Sequence, residues 1–137
     1  MDLADYNTSP NVDPLMKEID SFGLFKHVAE LEAYGLTVVP PETIGASPEF
    51  VERLRNAIIS TCEKRNNIKI GDYRNAKAGP EATSKNSWLL MEEDEVFVEA
   101  ATNPQMMALV RWLCGQSATL TGHTWIMKPE GGEGISL

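Results

Sequence analysis

Residue types that do chemistry are scarce in this chain. Only two histidines and two cysteines occur among its 137 residues. Cys62 and Cys114 show no CxxC spacing and have no neighbouring histidine, so a zinc site has no support. Each falls on the apolar side of a predicted helix, which leads us to expect a reduced, buried pair. No GxGxxG, GxxxxGK[ST], HExxH or GxSxG is present, so the common dinucleotide, P-loop, zincin and esterase signatures are excluded. No apolar run approaches the roughly 20 residues of a membrane-spanning helix. Basic residues are outnumbered, 12 against 20 acids, for a net charge of −8. That balance argues against a general nucleic-acid binder, which needs cations to neutralise phosphates. The N-terminus, MDLADYNTSPNVDP, is neither a secretory signal nor an Arg-rich transit peptide. A cytoplasmic protein without nucleic-acid or membrane partners is expected.

What the chain does have is ordinary globular material. The apolar fraction is 42% and the charged fraction 23%, enough for one domain with a modest core. Residues 1–12 read as a flexible tail, and 13–137 as a single domain. Asp13–Pro14 is a capping side chain followed by a proline whose missing N–H is not needed there. Leu15, Met16, Ile19 and Phe22 then recur at helical spacing. After Gly23, Leu24, Val28, Leu31 and Tyr34 mark a second short helix closed by Gly35. Ser47–Pro48 repeats the start signal for SPEFVERLRNAIISTCEKRN, the strongest helical segment. Its stripe is Phe50, Val51, Leu54, Ala57, Ile58 and Cys62, with Glu49 and Arg53 paired on the other side.

Three segments read as strands. Residues 36–39 of GLTVVPP are β-branched and stopped by prolines. SWLLM, 87–91, is apolar enough to be buried. SATLTGHTWIM reads as one long strand, bulged at Gly122. Between 87–91 and the last strand, the four acids of MEEDEVFVEAAT read as a solvated turn and helix start, where negative charge suits the dipole. Adjacent acids cannot all point at one ion, so they are not read as a metal site. Asn103–Pro104 opens a further helix with Met106, Leu109, Val110, Leu113 and Cys114 on one face. The order, helices before strands, predicts an α+β protein whose sheet is incomplete in this chain.

Residues 66–86 have no sustained period. From Lys64 to Lys85 there are six cations against Asp72 and Glu81. A long segment of this kind is either a connector or a lid over a site. On position and charge, Arg74, Lys77 and Trp88 are the candidates for substrate contact. Neither histidine has a carboxylate at metal-ligand spacing. His27, in a polar stretch of helix, is expected on the surface, and His123 is expected to be structural. Lys128 follows the last strand and precedes Pro129 and glycines at 131, 132 and 134. Held there, it could bind a carboxylate as a point charge, or simply face solvent.

HTWIMKPEGGEGISL resembles the segment that precedes the first metal-binding motif in the phytanoyl-CoA dioxygenase family. There a strand ending in Lys-Pro or Pro-Gly leads through a polar turn to Leu-His-x-Asp, and Leu137 stands where that leucine would. YGLTVVPP, SPEFVERLRNAI and NPQMMALVRWLCG resemble elements that come earlier in the family. The resemblance covers most of 24–137, in residue detail only at GLTVVP and HTWIMKP. It implies the N-terminal portion of an Fe(II)- and 2-oxoglutarate-dependent oxygenase, with the first strands of a double-stranded β-helix, or jelly roll. The cofactors would be Fe(II) and 2-oxoglutarate, and the substrate a small molecule or an acyl thioester. Lys128 matches the lysine that contacts 2-oxoglutarate in some members. The iron ligands would lie beyond Leu137, and the reading frame is expected to continue into them. Two other readings stay open: a complete, non-catalytic α+β interaction module, and a CoA-binding protein using the basic 64–85 stretch on phosphates.

Overall fold

The computed structural model describes residues 12–70 and 87–125. Five α-helices are formed there: α1 (Val12–Ser21), α2 (Phe25–Tyr34), α3 (Pro48–Asn66), α4 (Glu95–Ala101) and α5 (Pro104–Cys114), with a 3₁₀ turn at Leu90–Glu92. They group into two compact units, residues 12–48 with 99–120, and residues 49–70 and 87–98 with 121–125.

In the first unit α1 packs against α5. Leu15 and Ile19, one turn apart on α1, join Leu24, Val28, Ala108 and Leu109 in the core, with Phe22, Leu31, Val39 and Trp112 packed on it. Gly23 and Gly35 both take positive φ, +66° and +71°. The second closes α2, its N–H bonding the carbonyl of Leu31, as an αL helix end does. Asn103 caps α5: its Oδ1 accepts the N–H of Met106 at 3.0 Å, while its Nδ2 donates to the carbonyl of Ile44 at 2.8 Å. One side chain thus both starts a helix and ties down a distant turn.

His27 is buried, not on the surface as its polar neighbours suggest. Thr37 Oγ1 donates to Glu30 Oε2 at 2.5 Å, and His27 Nδ1 lies 2.8 Å from the same hydroxyl. Thr37 has one proton and gives it to Glu30, so His27 supplies the Nδ1 proton of its own bond. Thr37's hydrogen bond, helped by Lys26, holds the Glu30 carboxyl below its ordinary value. The network fixes residues 36–39 against α2.

The second unit is built on α3. Ala57 and Cys62 of α3 pack with Ile70, Leu90, Val96, Phe97 and Trp125; Phe50, Leu54, Ile58, Ile59, Ile68 and Met91 extend this cluster. Val51, placed in the stripe by spacing, is half exposed. Burial pushes the Cys62 thiol up, as expected for a packed, unreactive cysteine.

The α+β expectation is corrected. Among the described residues there is no β-strand, and helix accounts for 61% of them; the first strands of a jelly roll are not seen. Residues 36–39 have no backbone hydrogen bond to another described residue, and Leu36 and Val38 are exposed. Residues 87–91 bend, with Leu89 at φ +58°, into the 3₁₀ turn. Residues 118–125 lie without ladder bonds. β-Branched and aromatic residues fit a pleated surface only when neighbouring strands provide one, and each of these segments is instead held by helix side chains. The face of α5 also differs from the expected one. Ala108, Leu109 and Trp112 turn inward, while Leu113 and Cys114 are exposed. Cys114 is therefore not half of a buried pair.

Asn103→Ala should lower stability by about 1–2 kcal/mol, through the lost cap and the stranded Ile44 carbonyl. Asn103→Asp keeps the cap and should lose less. Denaturant unfolding of the two variants checks this.

Candidate functional site

The candidate site residues sort simply. Arg74, Lys77 and Lys128 lie outside the described residues, as do most of 66–86 and the stretch after Trp125. Trp88 is described, and its side chain is largely exposed. Its ring lies on Gly122: a Cβ there would come within 3.3 Å of Trp88 Cζ3. This close approach, not a bulge in a ladder, is why glycine suits position 122.

Around that contact, helix α3 sets the positions. Arg65, in its last turn, donates through Nε to Glu93 Oε1 at 3.0 Å, through one terminal nitrogen to the carbonyl of Leu89 at 3.2 Å, and through the other to the carbonyl of Trp88. Its guanidinium also lies over the ring of Trp125, 6.0 Å from the centroid. Lys64 bonds the second oxygen of Glu93 at 2.8 Å. Thr124 Oγ1 donates to Ser87 Oγ at 2.7 Å. The two chain segments that carry Trp88 and Gly122 are therefore tied together on both sides of the indole.

Arg65 and Glu93 had been legible only as members of a basic stretch and an acidic run. Glu93 is not merely solvated; it is the acceptor for two cations. Asp94 does what the run suggested: its Oδ1 accepts the N–H of Val96 at 2.9 Å at the start of α4. Lys64 first and Arg65 next hold the Glu93 carboxyl below its ordinary value.

His123 turns its edge toward Phe97, the ring centroids 5.8 Å apart and the planes at 88°. Its Nδ1 is buried and has no hydrogen-bond partner among the described residues. Among the described residues, no group of three His, Cys, Asp or Glu could hold an ion. No described helix is long and apolar enough to cross a membrane.

No family model, no curated protein and no solved structure matches the chain.

Two outcomes are expected. A carboxyl held below its ordinary value adds stability that is present above the unfolded value, near 4.5, and is lost as pH falls through the folded one. Wild-type melting temperature should thus fall on acidification below that value more than that of Glu93→Gln. Separately, His123→Phe keeps an aromatic edge on Phe97 and removes the unpartnered nitrogen. Thermal unfolding should show it to be as stable as wild type or up to about 1 kcal/mol more so.

Proposed function

We propose that this chain supplies the N-terminal part of an Fe(II)- and 2-oxoglutarate-dependent oxygenase of the phytanoyl-CoA dioxygenase type, with the iron ligands contributed from outside the 137 residues. The observation that carries the reading is the run from His123 to Pro129, HTWIMKP, with Lys128 where some members place a lysine on the co-substrate. The helices starting at Pro48 and Pro104 fall where the resembling segments SPEFVERLRNAI and NPQMMALVRWLCG begin.

Lys128 would bind one carboxylate of 2-oxoglutarate. An ammonium is a compact charge on a flexible stem, suited to a carboxylate that must be gripped and released. Trp88, exposed on Gly122 a few residues before Lys128 in sequence, offers an aromatic face to an apolar or acyl substrate. Arg65 and the Ser87–Thr124 bond would hold that face in place. Dioxygen would supply the oxidising equivalents, with Fe(II) and 2-oxoglutarate activating it; this part of the chain would bind and orient.

A second reading is a non-catalytic interaction module. Its support is the exposure of Tyr34, Leu36 and Val38 beside unpaired backbone.

The protein encoded by the whole reading frame should release succinate from 2-oxoglutarate only when Fe(II) is added. Lys128→Ala should raise the KM for 2-oxoglutarate about tenfold, the loss of one charged contact, and leave Fe(II) affinity unchanged. A frame that stops at Leu137, or a complete protein that releases no succinate with or without substrate, rejects the oxygenase reading and leaves the interaction module.

A further inference from the structure

The first unit contains a cavity of about 230 Å³ that no reading above uses. Val12 and Leu15 of α1 and the indole of Trp112 on α5 form apolar wall. Two charges of opposite sign also line it, Glu32 from α2 and Arg111 from α5. Neither is loose. Arg111 gives one terminal nitrogen to Glu18 Oε1 at 2.5 Å, and Trp112 Nε1 donates to Glu32 Oε1 at 2.8 Å. Each charged group keeps capacity beyond that bond. A guanidinium has five N–H donors, and a carboxylate has a second oxygen.

The ligand class follows from these groups. Pockets for drug-sized molecules run from about 300 to 1,000 Å³, so this one suits something smaller. A singly charged ligand would use only one of the two remaining sites, the spare donors of Arg111 or the second oxygen of Glu32. A zwitterion answers both, its carboxylate on Arg111 and its ammonium on the free oxygen of Glu32. The aliphatic and indole walls call for an apolar side chain. Because Glu18 and Trp112 already orient the two polar groups, little ordering is left for the ligand to induce.

We propose that the first unit binds a free α-amino acid with an apolar side chain in this cavity, between Arg111 and Glu32. The proposal goes beyond the oxygenase reading and does not rest on it. Binding here would couple α1, α2 and α5 through one small molecule.

Calorimetric titration of the full chain tests it with three probes of one shape: L-leucine, 3-methylbutylamine, which lacks the carboxylate, and 4-methylpentanoate, which lacks the amine. Leucine should bind at least about tenfold more tightly than either analogue. Glu32→Gln retains an acceptor for the indole. It should weaken leucine about tenfold and leave 4-methylpentanoate unchanged. Val12 is 43% exposed at the rim, so Val12→Trp should fill the cavity and abolish leucine binding while circular dichroism and melting stay as in wild type. The proposal is overturned if the full chain shows no saturable leucine binding up to about 10 mM. It is equally overturned if either analogue matches leucine, or if leucine binds unchanged when Val12→Trp is folded.

Discussion

Arg65 donates to the carbonyls of Trp88 and Leu89 and to the carboxylate of Glu93. In doing so it meets a constraint that governs the whole described structure. Backbone groups outside helices must be paired or solvated, and no sheet is present among the described residues to pair them. Side chains on helices take over. Glu63 of α3 accepts the N–H of Ile70 at 2.6 Å, and Asn103 donates to the carbonyl of Ile44. Each bond fixes a connecting segment to a helix already stabilised by its apolar face. The positions of Trp88, Ile70 and the turn around Ile44 all follow from that arrangement.

The buried polar groups of the first unit obey the same rule. His27, Thr37 and Glu30 form a closed chain of two hydrogen bonds. Thr37 faces inward at a position where the residues on either side, Leu36 and Val38, face out. The alternation that suggested a strand is therefore present, but it is enforced by a hydroxyl bonded to a helix and not by a ladder. His123 in the second unit has no such partner at Nδ1 among the described residues, and a buried polar atom left without one costs about 1–3 kcal/mol.

Helices were readable because their signals are local. The pair Asn103–Pro104, Gly35 after Tyr34, and the i, i+4 spacing of Leu15 with Ile19 all lie within a turn or two of what they specify, whereas Asp13, read as a cap, lies inside α1, which already includes Val12. The strands were misread because the runs 36–39, 87–91 and 117–125 say only that a segment is short and apolar. Such a run becomes a strand when a neighbour supplies hydrogen bonds. Periodicity placed Leu109 correctly on the covered face of α5 but favoured Leu113 and Cys114 over Ala108 and Trp112. Both stripes are apolar, and which one is covered depends on where α1 lies. Of the candidate substrate contacts and the co-substrate lysine, only Trp88 falls among the described residues, where it is exposed. Arg65 was missed, since a lysine-and-arginine-rich stretch gives no sign of which cation will meet a carbonyl.

By itself, then, the sequence determined where the helices start and stop, the depletion of metal ligands, and the absence of any run long enough to span a bilayer. These depend on neighbouring residues or on counting. Tertiary structure alone decided that His27 is buried and Cys114 exposed, that Glu93 is shared by Lys64 and Arg65, and that Arg111 and Glu32 face one cavity. Those outcomes depend on contacts between residues tens of positions apart, which arise only once the chain has folded back on itself.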